Sequence, residues 1–232
     1  MKKFIALFLV LALSLAFAGC NSEPVDVKSE GVMTYAEYMA AEMDAEVVIE
    51  AYVQATQSWW DNKITVYAQD RDGAYFLYEM ACSEEDSAKL TAGTKIKVTG
   101  FKGAWEGEVE IMDGKFEFVE GGDTYVAEPF DATALLGKDE LIDHQNKLCA
   151  FKGMTVEKIE FKNGEPGDDI YVTLTKDGAS YSFCVERYLT GPDTDLYKAV
   201  SELAAGSVVD VEAFLYWYQG ANPHITAVAA AQ

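Results

Sequence analysis

Hydrophobic and polar residues alternate with the two-residue period of a β-strand in two well-separated stretches. ITVYAQDRDGAYFLYEM, Ile64 to Met80, alternates around Asp72-Gly73, and IYVTLTKDGASYSFCV, Ile170 to Val185, alternates around Asp177-Gly178. Asp-Gly between alternating runs predicts a β-hairpin, since both residues tolerate the positive φ that a tight turn demands. In this register Phe76, Tyr78 and Met80 match Tyr181, Phe183 and Val185, which predicts three large side chains on one face of each copy.

A short helical patch follows each hairpin, Ser83 to Leu90 and Pro192 to Leu203, opening with capping residues and acids. Beyond it Leu90, Gly93, Ile96, Val98, Phe101 and Gly107 align without a gap to Leu203, Gly206, Val209, Val211, Phe214 and Gly220, and one further residue aligns Ile111 with Ile225. A first strand precedes each hairpin, VVIEAYVQA from Val47 and LCAFKGMTVEKI from Leu148. The order strand, strand, strand, helix, strand, strand is that of the oligonucleotide- and oligosaccharide-binding (OB) barrel. The expected fold is therefore mainly β, two tandem OB-fold-like five-stranded barrels with short helices. Residues 32–130 would form the first barrel with a leading helix at Thr34 to Met43, 131–146 a connecting helix, and 147–232 the second barrel.

The N-terminus has a different pattern. MKKFIALFLVLALSLAFAGC places two lysines before an apolar run and ends Ala-Gly-Cys, the order of a secretory signal, and the run is too short to span a bilayer. Its end resembles the lipobox of bacterial lipoproteins, with Phe17 where leucine is commonest; this implies a diacylglycerol on Cys20 and cleavage before it. Residues 1–20 are then a signal peptide and 21–31 a polar tether to the membrane. Removing residues 1–20 takes two of the 18 basic residues and none of the 39 acidic ones, leaving a net charge of −23. Such a charge repels phosphate backbones and argues against nucleic acid as a partner.

From about Thr34 to Val228 the chain also resembles a family of secreted bacterial lipoproteins of anaerobic Gram-positive species, through segments such as TYAEYMAAE, GTKIKVTGFKGAWEGEVEI, VERYLTG and FLYWYQGANPHI. The resemblance implies an extracytoplasmic location and the tandem OB architecture; it assigns no functional residues.

Enzymatic motifs are missing from the sequence. With only His144 and His224 there is no HExxH, and GxSxG, GxGxxG and GxxxxGK[ST] are absent too. Asp70 and Asp72 start like a calcium loop, but Gly73 comes too early and no glutamate closes it, so a hairpin turn explains them. No metal, cofactor or catalytic residue is expected. Cys82, Cys149 and Cys184 lack metal-ligand spacing; a Cys149 to Cys184 bridge is conceivable, while the apolar strand patterns around both favour buried free thiols.

Candidate binding residues come from aromatic loops. OB barrels bind on strands two and three and in the loops after strands one and four. Here those loops hold Trp59 and Trp60, Trp105, and Tyr216, Trp217 and Tyr218 with His224 beyond, flat faces suited to sugars, bases or apolar peptide. Alternation places Val209, Val211, Ala213, Leu215 and Trp217 in the barrel interior and Phe214, Tyr216 and Tyr218 outside, where packing between barrels competes with ligand stacking. Lys89, Lys95, Lys97 and Lys102 could line a nucleic-acid strip, but Glu106, Glu108 and Glu110 on the next strand offer cross-strand partners. Three readings follow: a non-catalytic binding module for a glycan or small molecule, an interaction or assembly subunit at the cell surface, and, third, a single-stranded nucleic-acid binder.

Overall fold

The computed structural model describes Asp26, residues 28–121 and residues 123–231. The first barrel is built from β1 (Glu46–Thr56), β2 (Lys63–Gln69), β3 (Ala74–Ala81), β4 (Lys95–Trp105) and β5 (Glu108–Phe118), with α1 (Tyr35–Ala40) ahead and a one-turn α2 (Glu84–Ser87) between β3 and β4. Its strands close in the order β1-β2-β3-β5-β4, with β1 returning to β4 and a parallel β3–β5 contact. The second unit contains β6 (Phe130–Asp131), β7 (Leu148–Phe161), β8 (Ile170–Lys176), β9 (Ala179–Val185), α3 (Asp195–Ser201), β10 (Val208–Phe214) and β11 (His224–Ala230). Its order β10-β11-β9-β8-β7 is closed by β10 pairing β7, again with one parallel contact, β9 to β11, and β6 is added along β7. Both units thus follow the OB pairing scheme.

The repeat extends to single hydrogen bonds. Gly93 donates its N–H to Val53 O at 2.8 Å, and Gly206 donates to Val156 O at 2.8 Å; both glycines sit at φ 87°, where a Cβ is unfavourable. Each barrel buries its own apolar core. Val47, Ile49, Val53, Val66, Leu77, Ile96, Val98 and Ile111 fill the first, and Phe151, Met154, Val172, Leu174, Phe183, Val209, Val211 and Leu215 the second.

Several expectations are corrected. The segment 131–146 is not a continuous helix but a strand residue pair followed by 3-10 turns at Thr133–Leu135 and Asp139–His144, because Gly137 at φ 74° interrupts it. The two hairpin turns differ. Asp177 and Gly178 have positive φ, 51° and 82°, whereas Asp72 and Gly73 do not. There the Asp70 carboxylate accepts N–H bonds from Asp72 and Gly73, and glycine is needed for space, since a Cβ would lie 2.3 Å from the Tyr35 ring. Phe76, Tyr78 and Met80 do not share a face. Glu79 at φ 45° forms a bulge that turns Met80 into the core, while Phe76 and Tyr78 point outward, and Tyr75 and Leu77 take the interior positions.

Three of the lysines are held by partners other than the expected Glu106, Glu108 and Glu110. Lys102 is buried and donates to the carbonyls of Tyr38, Met39 and Ala41 at 2.8–3.1 Å, closing the C-terminus of α1. Lys95 meets the buried Glu50 at 3.1 Å, and Lys89 pairs with Glu85 and Asp86 on its own turn. Glu108 and Glu110 are buried and, among the described residues, form no ion pair with a lysine.

Part of the expected tether is docked. Lys28 Nζ donates to Asp70 Oδ2 at 2.6 Å and to Glu50 O, and Asp26 accepts from the Arg71 backbone at 2.7 Å, from its guanidinium, and from Tyr52. Cys20 and the signal sequence lie outside the described residues. Among those described, no helix is long and apolar enough to cross a membrane, and Cys82, Cys149 and Cys184 are buried and unbridged.

Candidate ligand cleft between the barrels

The outward aromatic residues of the two barrels meet each other. Phe214 stacks face to face on Tyr67, ring centroids 4.3 Å apart and planes 7° from parallel, and Phe76 packs against both Tyr67 and Tyr216. Tyr67, Phe76 and Phe214 are each at most 3% exposed. Tyr67 Oη and His224 Nδ1 share a 2.7 Å hydrogen bond across the interface. Both groups are neutral there: burial raises the phenol well above its ordinary range and pushes the imidazole down to about 3.

A second set of contacts joins the β4–β5 corner of the first barrel to the β10–β11 corner of the second. Glu106 and Gln219 are equivalent in the repeat, have φ of 50° and 56°, and each precedes a glycine turn. Gln219 donates its backbone N–H to Glu106 O at 2.7 Å and its side-chain amide to Glu106 Oε2 at 2.9 Å. The next glycine, Gly107, lies so close to Trp217 that a Cβ would fall 2.7 Å from the indole. Glu108 then accepts the Trp217 N–H at 2.8 Å, and burial lifts its carboxyl to about 8. Gln145 completes the clamp, accepting from Val109 N and donating to Gly107 O. The relative position of the barrels is fixed by this hydrogen-bonded framework as much as by the aromatic stack.

The framework leaves a cleft of about 350 Å³ between the barrels. Tyr78, Trp105, Tyr171 and Tyr218 stand around it at 42%, 59%, 40% and 48% exposure, with half-buried Tyr216 and buried His224 at its base. Polar groups lie between the rings. Lys162 pairs with Asp169 at 2.8 Å, Glu186 accepts from Gln57 at 3.0 Å and is raised by burial, and the buried Asn222 Oδ1 has no hydrogen-bond partner among the described residues. Trp105 and Tyr218 are equivalent positions of the two copies, so the cleft is framed by the same corner used twice. No group of three or more metal-ligating side chains occurs among the described residues.

Of the residues expected from sequence, Trp105, Tyr216, Tyr218 and His224 come together in this cleft. Trp59 and Trp60 line an adjacent groove instead. Trp59 is half-buried, its indole N–H donating to Cys82 O at 2.9 Å, and Trp60 is 77% exposed. His224 is held by Tyr67 as a structural residue. Of the two uses open to the outward aromatics, packing between the barrels is the one Phe214 and Tyr216 serve: Phe214 lies on Tyr67 and Tyr216 on Phe76 of the other barrel. Trp217 is half-buried, packed on the second core from the side that alternation predicts, with its indole also against Gly107 of the first barrel. Sequence reasoning missed Tyr78, Tyr171, Asn222 and Glu186. The strand alternation of IYVTLTK signals an outward Tyr171, but nothing local announces that Tyr78 would face it from the other barrel.

No family model and no curated protein matches the chain. Solved structures similar to it include a HINa domain in complex with 20-base-pair double-stranded DNA, 9% identical over 81% of this chain and 100% of that one, TM-score 0.38. A murine DNA-binding protein bound with double-stranded DNA is 12% identical over 80% and 96%, TM-score 0.36. A Replication Protein A heterotrimer bound to single-stranded DNA is 13% identical over 81% and 49%, TM-score 0.33. Likenesses this distant carry no argument about ligand, and the OB assignment stands on the strand pairing.

Proposed function

We propose that the protein is a lipid-anchored extracytoplasmic binding protein, without catalytic activity, that holds a glycan or other small molecule in the cleft between its barrels. The observation that carries this reading is the convergence of four half-exposed rings, from both barrels, on one cleft whose walls are locked by hydrogen bonds. Exposed aromatic surface held rigid is suited to stacking on the apolar face of a sugar. The ionisable groups at the cleft already have partners, Lys162 with Asp169 and Glu186 with the Gln57 amide, which suits binding better than proton transfer. Membrane attachment would come from the lipid on Cys20.

Glycan-array binding of the soluble chain from Asn21 onward tests the reading, with Trp105→Ala, Tyr218→Ala and the Trp59→Ala/Trp60→Ala double variant alongside. A glycan signal lost in Trp105→Ala and Tyr218→Ala is the expected result. Signals untouched by both substitutions, or no signal together with capture of a protein at this face, would move the assignment to an assembly subunit. Salt-sensitive retention of single-stranded DNA would favour the nucleic-acid reading, against a net charge of −21 for the whole chain.

A further inference from the structure

A second groove of about 580 Å³ lies beside the cleft, walled by Trp59, Trp60, Lys63 and Glu79 of the first barrel and Arg187 and Tyr188 of the second. Its aromatic residues are presented to solvent by ordered backbone. Trp60 and Lys63 exchange two backbone hydrogen bonds, 3.0 and 2.8 Å, around a turn in which Asp61 and Asn62 have φ of 46° and 59°. Ser58 donates to Tyr188 O at 2.7 Å, which ties this loop to the other barrel, and the Arg187 guanidinium lies 5.0 Å from the Tyr188 ring centre. Trp60 at 77% and Tyr188 at 55% exposure are thus held in water by a structured frame.

The two grooves are separated by a wall one residue thick. Gln57 lines both, and the neighbours Tyr78 and Glu79, like Glu186 and Arg187, have one member in each. Each groove alone is within the size range of a site for one small ligand. Resting on the function proposed above, we infer that the bound molecule is a linear glycan several sugar units long, which crosses the Gln57 wall and stacks on Trp105 and Tyr218 at one end and on Trp60 and Tyr188 at the other. An extended peptide fits less well, because the strand edge left unpaired in the second barrel, residues 179–183 of β9, lines neither groove. A nucleic-acid strand is opposed by the acidic charge. Among the polar side chains between the rings, Gln57, Glu79, Glu186 and Arg187 carry planar groups, a shape suited to adjacent hydroxyls of a sugar chain.

The test is a length series: linear oligosaccharides of one to eight units from cellulose, chitin, mannan and xylan, titrated against the soluble chain and followed by tryptophan fluorescence. Within the series that binds, affinity is expected to rise at least tenfold from the shortest ligand that binds to the longest, then level off. Trp60→Ala and Tyr188→Ala, both at exposed positions and checked by thermal melting, should remove the gain with length and leave the affinity for the short ligand within twofold. Trp105→Ala should weaken every length. Equal affinity at all lengths would overturn the extended ligand while leaving a binding cleft intact; no binding in any series would overturn both.

Discussion

Glu106 and Gln219 occupy the same position in the two barrels, share a positive φ, and hydrogen-bond to each other through backbone and side chain. A tandem duplication has therefore been folded so that one copy's β4–β5 corner meets the equivalent corner of the other. The residues just before them, Trp105 and Tyr218, are left flanking the cleft. The rigidity of the site is thus a property of the interface rather than of either barrel.

The glycines of these corners are expected to respond unequally. Gly107→Ala introduces a Cβ 2.7 Å from Trp217 at φ 98°, whereas Gly220→Ala at φ 144° meets open space. Backbone strain of about 1–3 kcal/mol is expected in both, and overpacking adds about 1–3 kcal/mol in Gly107→Ala alone. Urea denaturation of the two variants measures the difference.

Phe214→Ala removes a side chain that is 3% exposed and stacked on Tyr67. The expected loss is about 3–5 kcal/mol, large because the cavity opens between two rigid barrels that cannot collapse into it. A double-mutant cycle with Tyr67→Leu should return a coupling of about 1 kcal/mol for the stacked pair. Additive effects would show that the two rings contribute only by area.

Stability should depend on pH through two buried groups acting in opposite directions. The native state holds the Glu108 proton up to about 8, while the unfolded chain releases it from about 4.5. The associated stability is complete below 4.5 and is lost as pH rises through 8, by up to about 1.4 kcal/mol per pH unit inside that window. His224 refuses a proton down to about 3, whereas the unfolded imidazole takes one up below 6.5, so its contribution falls as the solution is acidified from 6.5. Glu108→Gln keeps the acceptor for Trp217 N–H and should be more stable than the parent at pH 8.5, with the advantage gone at pH 4.5. Denaturant titrations at the two pH values decide this; a constant difference would show that Glu108 does not titrate in the window.

Thiol chemistry gives a further check. Burial pushes the Cys149 thiol up to about 12 and raises Cys82 and Cys184 as well. The soluble chain from Asn21 should react with an aromatic disulfide reagent at pH 8 only as fast as it opens, and should release three equivalents at once in denaturant. A disulfide between Cys149 and Cys184 would leave one.

Most of the architecture was legible because the signals are local. Alternation in strands, glycine at the turns after each helix, and the gapless spacing from Leu90 to Gly107 and from Leu203 to Gly220 sufficed to place both barrels. The errors occurred where a single backbone residue departs from the pattern. A bulge at Glu79 moves Met80 to the opposite face from Phe76, and Gly137 breaks a segment of otherwise helical composition into two turns. The site was half legible: aromatic loops marked Trp105 and Tyr218, but their relation to Tyr78 and Tyr171 depends on how the barrels dock, which no local pattern encodes. The carboxylates were misread for the same reason, since Glu108 looks like a solvated strand residue until Trp217 of the other barrel is placed over it.

The grip of the first barrel on Asp26 and Lys28 sets a geometric limit on the whole molecule. If Cys20 carries a lipid, five residues, Asn21 to Val25, separate the anchor from the first residue held by the barrel. Fully extended, that leash reaches about 20 Å. The barrels would then ride directly over the headgroups rather than on a long stalk, and the cleft would sample only molecules that have already reached the membrane face. A protein so placed would act as a receiver at the last step before the bilayer, its range set by the ion pairs and hydrogen bonds that hold Asp26 and Lys28.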